Sequence, residues 1–248
     1  PCNQFHSHPG DLGWGLEHRD RDPLNRAAYR RGFPLPQAPV PRELKGRFAA
    51  TIAAAMTEED VLKEFRDADA LLEGHFILSS GLRSPRYLQC ARLLMDPARA
   101  ERIARALAAK LPESIRSSID IVISPAMGGV IIGHEMGRAL GKPAVFVERP
   151  DGRFELRRGF RIDRGAKVLM VEDVVTTGLS SREAIKAIEE AGGEVAAAAS
   201  IVDRSGGNVD LGVPYTSLIR IDVPTYEADA LPPELQAIPA IKPGSRAA

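Results

Sequence analysis

The sequence contains little cysteine, no long apolar run and no excess of charge of either sign. Cys2 and Cys90 are the only cysteines among the 248 residues, and two distant thiols exclude a disulfide framework and a zinc site. No run approaches the ~18 apolar residues of a membrane-spanning helix. The formal net charge is zero, which gives no support for nucleic acid or a membrane surface as a partner. We therefore expect a cytoplasmic protein with reduced thiols.

Two common phosphate-binding motifs are also missing. The chain has no Gly-x-x-x-x-Gly-Lys-Ser/Thr run, and Gly128, Gly129 and Gly133 do not match the dinucleotide-binding fingerprint. The remaining composition is that of an ordinary globular protein, with 44% apolar and 27% charged residues. The length allows one large domain, or one ordinary domain with an appendage.

Residues 1–55 differ from the rest of the chain. They are rich in proline, arginine and glycine and have little apolar periodicity, and repeated proline removes backbone donors and interrupts helices. The apolar core of a secretory signal is missing, and Asp11, Glu17, Asp20 and Asp22 argue against a transit peptide. We expect a disordered or non-native N-terminal extension at 1–55 and one domain at 56–248.

From Thr57 onward, apolar strand-like runs alternate with helical patterns. Thr57 and the pair Asp96-Pro97 have the features of helix starts. Further helices are predicted at 129–140 and 180–191, and the strand-like runs are residues 119–124, 144–148, 167–171, 194–202 and 217–221. This alternation indicates an α/β fold, in which helices cover both faces of a parallel sheet.

The segment Val168–Ser180 combines a buried strand, two carboxylates and a turn rich in hydroxyl groups. Glu172 and Asp173 follow the apolar run, and the turn that leads into the next helix consists of Thr176, Thr177, Gly178, Leu179 and Ser180. Ligands bind beyond the carboxyl ends of parallel strands, and a helix N-terminus favours phosphate. Carboxylates suit sugar hydroxyls, or a magnesium ion that bridges to one. The segment therefore suits a ribose phosphate, although an Asp–Thr helix cap would have the same local pattern.

The run Val171–Gly178 resembles the binding motif for phosphoribosyl diphosphate (PRPP) of type I phosphoribosyltransferases. In that motif two acidic residues between apolar positions precede Thr-x-Gly, as they do here. The resemblance implies the type I fold: a mostly parallel five-stranded sheet flanked by helices, with a small hood from about 70–92 and the C-terminal region.

Other motifs are similar to those of the orotate phosphoribosyltransferase family. The stretch 76–85 resembles that family's Phe-x-Leu-x-Ser-Gly-x-x-Ser-Pro hood segment, which purine enzymes of the superfamily lack. Ala126, Met127 and Gly128 lie in a loop that resembles the family's diphosphate loop. Arg204 matches the arginine that holds the orotate carboxylate, and a planar guanidinium suits that anion. Thr176 matches a threonine near the same base.

The resemblance places a mobile lid between Glu148 and Lys167. This lid segment, residues 149–166, contains six arginines: Arg149, Arg153, Arg157, Arg158, Arg161 and Arg164. Cations in a lid stabilise the charge of leaving diphosphate and help to exclude water. Arg149 matches the family's lid best. Arg157 and Arg158 are candidates to replace missing family lysines, because Ser79 and Gly128 stand where many members have lysine.

The resemblance implies that orotate and PRPP react to give orotidine 5′-monophosphate and diphosphate, a step of pyrimidine (UMP) biosynthesis. Glu172 and Asp173 would hold the ribose hydroxyls, and residues 176–180 would bind the 5-phosphate. Residues 126–129 and the lid segment, Arg149 included, would hold diphosphate. Magnesium would be bound mainly through PRPP, with no direct protein ligand. In the family the lid reaches the neighbouring subunit's site, which implies a homodimer.

Two alternatives remain open at this stage. A purine or xanthine phosphoribosyltransferase would share the PRPP motif, although the hood stretch argues against it. A non-enzymatic regulator that senses PRPP would also share the motif, but such proteins usually add a nucleic-acid-binding domain or basic face. The zero net charge offers little support for this second alternative.

The N-terminal boundary gives a first prediction. A chain that begins at Met56 should fold and keep full activity, because Thr57 starts the first regular helix pattern. Circular dichroism and steady-state kinetics of the shortened and full chains check this. Loss of the cooperative thermal transition or of activity would contradict the assignment of 1–55 as an extension.

Overall fold

The computed structural model describes residues 56–78 and 81–242. The expected extension at 1–55 and the position of Ser79 therefore lie outside the described residues. Within these ranges, no helix has the length and the apolar character that crossing a bilayer requires.

The helices and strands alternate over most of the described chain. The helices are α1 Glu58–Asp67, α2 Cys90–Leu94, α3 Pro97–Lys110, α4 Glu113–Ser118, α5 Gly129–Leu140, α6 Leu179–Glu190 and α7 Pro233–Gln236. The strands are β1 Leu71–Ile77, β2 Arg83–Leu88, β3 Ile121–Pro125, β4 Ala144–Glu148, β5 Glu155–Leu156, β6 Lys167–Val175, β7 Glu194–Asp203 and β8 Tyr215–Arg220.

The central sheet has the order β5-β4-β3-β6-β7-β8. Strands β4, β3, β6, β7 and β8 are parallel, and the two-residue β5 pairs antiparallel with β4 at the edge. The predicted mostly parallel sheet is confirmed, and β5 extends it to six strands. Strand β3 is buried along its whole length, which explains why such strands are continuous apolar runs in the sequence.

The two faces of the sheet carry separate apolar clusters. Leu169 and Val171 of β6 belong to a cluster that includes α3 and α5, while Val168 and Met170 belong to a cluster that includes α6. This division follows from the strand geometry, since successive side chains point to opposite faces. Full burial of one large aliphatic side chain contributes roughly 1.5–3 kcal/mol, so both clusters hold β6 at the centre.

The two predicted helix starts are confirmed. The Thr57 hydroxyl accepts a hydrogen bond from the Asp60 amide at 3.2 Å, and the Asp60 carboxylate accepts one from the Thr57 amide at 2.9 Å. This reciprocal pair is a capping box. The Asp96 carboxylate accepts hydrogen bonds from the amides of Ala98 and Arg99 at the start of α3. The caps satisfy amide groups that a helix leaves unpaired at its first turn.

A second, two-stranded sheet forms the hood. Strands β1 and β2 are antiparallel, with a register shift between Glu73 and Phe76. The C-terminal region joins this sheet: the Ile77 amide donates to the Ile241 carbonyl at 2.8 Å, and Arg83 and Tyr226 exchange backbone hydrogen bonds at 2.8 and 2.9 Å. The first and last parts of the described chain therefore form the hood together.

Strand β6 is longer than the sequence pattern predicts. The prediction ended the strand at residue 171, before the carboxylates, whereas β6 continues to Val175. The β-branched Val174 and Val175 favour the extended conformation, and they pair with Val202 and Asp203 of β7. As a result, Glu172 and Asp173 are strand residues whose directions are fixed by the pleat.

The first helix is shorter than predicted. The apolar positions from Val61 to Leu72 predict a helix that ends at Gly74, but α1 ends at Asp67 and β1 begins at Leu71. Asp69 adopts a positive φ of 48°, which ends a right-handed helix. The chain then reverses so that Ala70 and Leu88 pack in the same core.

Candidate active site

A pocket of about 230 Å³ lies at the carboxyl end of β6. We refer to it as the β6 pocket; its lining comprises Arg149, Glu172, Val174, Val175, Thr176, Thr177, Gly178, Leu179, Ser180, Ser181 and Glu183. The structure thus brings together the whole turn at 176–180 that is predicted to bind phosphate (the phosphate turn), one of the two predicted carboxylates and one lid arginine. The first turn of α6 faces this space with backbone amides that have no partner within the helix.

Gly178 fixes the shape of the phosphate turn. It precedes α6 with φ 72°, a left-handed conformation that glycine adopts without strain. A Cβ atom at this position would lie 2.5 Å from Val209 Cγ2 and 2.7 Å from Leu211 Cδ2. The turn therefore packs directly against the segment that follows β7, and a larger residue would separate the two.

Glu172 lies at the inner wall of the β6 pocket. Its side chain is directed to the α6 face and is only 6% exposed, and its Oε2 accepts a close hydrogen bond from the Ser181 hydroxyl. Burial raises the pKa of Glu172; the Ser181 hydroxyl opposes this, the charge of Asp173 adds to it, and Ser180 and Arg149 oppose it. The pocket thus contains a buried acceptor next to a cationic side chain.

Asp173 lies on the opposite face of β6. A Cβ atom at Gly128 would be 2.7 Å from Asp173 Oδ2, so this carboxylate lies directly against the 126–128 loop. Burial raises the pKa of Asp173, and the backbone amides of Val174 and of Asp173 itself oppose the shift. The two carboxylates, adjacent in sequence, therefore approach the end of β6 from two sides.

The 126–128 loop connects β3 to α5. The Ala126 amide donates to the Val147 carbonyl at 2.8 Å, which ties the loop to β4, and the peptide bond between Ala126 and Met127 is cis. Gly128 has φ −57° and ψ −39° and directly precedes α5. The position where many family members have lysine is therefore occupied by a backbone that Asp173 approaches closely.

Arg204 lies beside the carboxyl ends of β6 and β7. Its amide donates to the Val175 carbonyl at 2.8 Å, so it directly follows the paired ends of β6 and β7. Burial lowers the pKa of its guanidinium, and the neighbouring Tyr87 and Cys90 oppose this. Within the described residues, Arg204 Nε is buried without a hydrogen-bond partner. A buried guanidinium nitrogen without an acceptor is costly, and an anionic ligand beside Arg204 would supply that acceptor.

The residues beside Arg204 in the chain form contacts that the sequence motifs did not predict. Asp203 is 1% exposed; its Oδ1 accepts from the Ser205 amide and hydroxyl at 2.7 and 2.6 Å, and its Oδ2 accepts from Arg220 Nε at 3.3 Å. Cys90, buried at the start of α2, also lies near both Arg204 and Asp173, and burial raises the pKa of its thiol. The Asp-Arg-Ser order could have predicted the hydrogen bonds between Asp203 and Ser205. No sequence pattern indicated the position of Cys90.

The structure separates the lid arginines into different environments. Arg149 lines the β6 pocket, where its Nη2 is 2.5 Å from Glu183 Oε2 and its guanidinium lies 4.2 Å from the Phe154 ring centre. Arg158 instead forms two hydrogen bonds with Glu148, at 2.9 and 2.7 Å. Arg157 is exposed. Of these three predicted residues, only Arg149 contacts the pocket in this conformation.

Protein side chains alone do not form a metal cage here. In the ranges 56–78 and 81–242, no cluster of three or more His, Cys, Asp and Glu side chains is arranged to hold a metal ion. Glu172 and Asp173 do not converge on one point, because they lie on opposite faces of β6. This donor set fits a magnesium ion only if most of its ligands come from a substrate and water.

A phosphate turn and flanking carboxylates at the end of a parallel strand define a phosphoribosyltransferase of type I. The family model described as "Phosphoribosyl transferase domain" matches residues 93–228. Orotate phosphoribosyltransferase from Rhizorhabdus wittichii is 72% identical over 193 residues, which cover 78% of this chain and 98% of that protein. The enzyme of the same name from Caulobacter vibrioides is 58% identical over 191 residues, 77% of this chain and 98% of that protein.

A solved structure agrees with these relatives. The crystal structure of orotate phosphoribosyltransferase from Aeropyrum pernix superposes with a TM-score of 0.54 at 28% identity, covering 65% of this chain and 93% of that chain. The chain belongs to the orotate phosphoribosyltransferase family. The predicted fold class and family are thereby confirmed.

The contact between Gly128 and Asp173 can be tested by one methyl group. Gly128 has helical dihedral angles that alanine adopts freely, so Gly128→Ala changes the contact and leaves the backbone unstrained. The methyl group should displace the Asp173 carboxylate and lower kcat/KM for the ribosyl donor by about tenfold or more. The thermal midpoint should change little because Gly128 is exposed. An unchanged kcat/KM would show that the position of Asp173 is not required.

Proposed function

We propose that this protein transfers the 5-phosphoribosyl group of PRPP to orotate, giving orotidine 5′-monophosphate and diphosphate for pyrimidine (UMP) biosynthesis. One observation carries the proposal: the Arg204 amide donates to the Val175 carbonyl, so Arg204, whose Nε has no hydrogen-bond partner among the described residues, follows β7 close to the turn after β6. A site for a sugar phosphate and a site for an anionic base therefore lie next to each other.

The donor is bound at the end of β6. The amides and hydroxyls of Thr176, Thr177, Gly178, Leu179 and Ser180 hold the 5-phosphate, as the open pocket and the helix N-terminus support. Glu172 and Asp173 accept hydrogen bonds from the ribose hydroxyls, one from each side of the strand. Two acceptors on opposite sides restrict the rotation of the ribose, which favours a reactive orientation.

Diphosphate leaves toward the 126–128 loop and the lid segment. Ala126, Met127 and Gly128 provide the loop, and Arg149, Arg157 and Arg158 provide the cations. The ion pair of Arg149 with Glu183 involves side chains that are 38% and 44% exposed, and such pairs contribute only ~0–1 kcal/mol. Arg149 can therefore exchange Glu183 for a diphosphate oxygen at low cost, and Arg158 would likewise exchange Glu148.

The reaction breaks the bond between ribose C1 and diphosphate and forms a bond from C1 to a ring nitrogen of orotate, whose proton is released together with diphosphate. No residue is required as a nucleophile, and the chain's part is to bind, orient and exclude water. Thr176 and Arg204 hold the base, with the guanidinium on the orotate carboxylate. No side chain of the site would hold magnesium directly; an ion held mainly by the oxygens of PRPP would supply positive charge near the leaving diphosphate.

A homodimer is part of the proposal. Met127 in the 126–128 loop and Ile131 in α5 are 84% and 44% exposed. Val130, Ile131 and His134 of α5 line one shallow pocket with Val145 and Phe146 of β4. Apolar side chains grouped on a surface support a protein–protein contact, and a lid segment that follows β4 could then serve the neighbouring subunit's site.

The catalytic domain is proposed to comprise residues 56–248. The protein is proposed to be located in the cytoplasm. The matched relatives cover 191–193 residues at 98–100% of their own length, which supports a domain shorter than this chain. The buried free thiol of Cys90 supports a reducing compartment.

The function is tested by a screen of bases. Purified protein with PRPP and magnesium should release diphosphate with orotate, and should release almost none with adenine, guanine, hypoxanthine, xanthine or uracil. Uracil is the sharpest control, because it lacks the carboxylate that Arg204 binds. Diphosphate release with a purine would favour the purine alternative, and release with no base would favour a PRPP-sensing regulator.

The role of Arg204 gives a separate prediction. Arg204→Ala should raise KM for orotate about 10–100-fold, since it removes a charge-assisted, forked contact. KM for PRPP should change less than about threefold. Arg204→Lys should recover only part of the effect, because an ammonium group lacks the planar fork. Equal increases in both Michaelis constants would contradict the assignment.

A further inference from the structure

Glu172 is the buried charge on which the donor site depends. Its side chain is 6% exposed and continues the β6 face that contributes Val168 and Met170 to the α6-side core. A carboxylate in such surroundings is costly unless hydrogen bonds satisfy it. The Ser181 hydroxyl, itself 1% exposed, donates to Glu172 Oε2.

Ser181 does not serve the helix in which it lies. It is the third residue of α6, where a serine could compete for backbone groups, yet the N-cap is Gly178 and that cap has no side-chain hydrogen bond. Serine also brings no advantage in helix propensity. The buried hydroxyl is thus used for the strand carboxylate, and this contact joins the first turn of α6 to β6.

We propose that Ser181 is a positioning residue that fixes one oxygen of Glu172 and leaves the other for a ribose hydroxyl of PRPP. The inference rests on the proposed function, since it needs PRPP as the ligand. It also assigns to Ser181 a role in the affinity for the donor and none in contact with the base. Because Ser181 follows directly on the phosphate turn, one helical turn binds the 5-phosphate and aligns the ribose acceptor.

Other groups also face Glu172, among them the hydroxyl of the neighbouring Ser180, which has a smaller influence on its pKa than Ser181. Asp173 is on the same strand and repels it, Arg149 of the lid segment attracts it, and Tyr215 of β8 is influenced by it. Burial raises the pKa of Glu172, and the Ser181 hydroxyl is the largest opposing influence, followed by Ser180 and Arg149. Arg149 also forms an ion pair with Glu183, so its charge is shared between Glu183 and Glu172.

Removal of the hydroxyl should weaken donor binding through Glu172. Ser181→Ala should raise the dissociation constant of PRPP about tenfold, the effect of losing one hydrogen bond to a charged group. The dissociation constant of orotate should be unchanged within about twofold. Ser181→Thr keeps the hydroxyl and should bind PRPP nearly as well as the natural protein.

A double-mutant cycle decides whether Ser181 acts through Glu172. PRPP binding is measured by calorimetry, without orotate, for Ser181→Ala, Glu172→Gln and the double variant. If Ser181 positions Glu172, adding Ser181→Ala to Glu172→Gln should change the dissociation constant less than about twofold. A tenfold weakening in both backgrounds, or in neither, would overturn the proposal.

Ser200→Ala is the matched control. Ser200 is fully buried beside Glu172 on β7, but its hydroxyl contacts the Val202 carbonyl and the Tyr215 hydroxyl instead. Ser200→Ala should change the dissociation constant of PRPP less than about twofold. If it weakens PRPP binding as much as Ser181→Ala does, the effect of Ser181→Ala is a general result of removing a buried serine. Turnover of the natural protein tests the proposed function separately from the role of Ser181. If the natural protein releases no diphosphate from PRPP and orotate, the proposed function is wrong. With turnover, an additive cycle overturns only the role of Ser181.

Discussion

The pleat of β6 is the constraint on which the rest of the site depends. Because successive strand residues point to opposite faces, the apolar residues before the carboxylates contribute alternately to the two cores. The same alternation sends Glu172 toward α6 and Asp173 toward the 126–128 loop. The cores therefore hold β6 in a register that fixes where both carboxylates lie, so that packing far from the ligand determines geometry at the ligand.

The turn after β6 depends on close contacts on its other side. Gly178 has no room for a side chain, because Val209 and Leu211 lie against it. Arg182 joins the same two segments, since its guanidinium donates to the carbonyls of Thr177 and Asp210 at 3.2 and 3.0 Å. The loop that contains Arg204 and the phosphate turn thus form one packed unit at the carboxyl edge of the sheet, where open parallel sheets bind their ligands.

Much of this arrangement could be predicted from local patterns. The alternation of apolar strands with helices and the caps at Thr57 and Asp96 each depend on residues that are close in the sequence, and the structure agrees with them. The turn at 176–180 also lies between a strand and a helix start, as the local pattern predicted. The length of β6 could not be predicted in the same way, because the carboxylates interrupt its apolar run and only pairing with β7 extends it to Val175.

Contacts between segments that are distant in the sequence could not be predicted either. The hydrogen bond of Ser181 to Glu172 and the partner of Arg149 at Glu183 require the orientation of α6 on the sheet. The environments of Arg149, Arg157 and Arg158 differ although all three are arginines of one basic segment. The family resemblance predicted a lid and composition showed that the segment is basic, whereas the distribution of its charges depends on the acidic residues that the fold brings near.

One ribose phosphate is proposed to lie at the carboxyl end of β6, within reach of the carboxylates on both faces of the strand. A crystal structure with ribose 5-phosphate tests this directly. The account predicts phosphate oxygens within ~3 Å of the amides in the segment Thr177–Ser180. It also predicts ribose hydroxyls that reach Glu172 on one side and Asp173 on the other. A phosphate bound outside the β6 pocket, or a ribose that contacts neither carboxylate, would contradict the account.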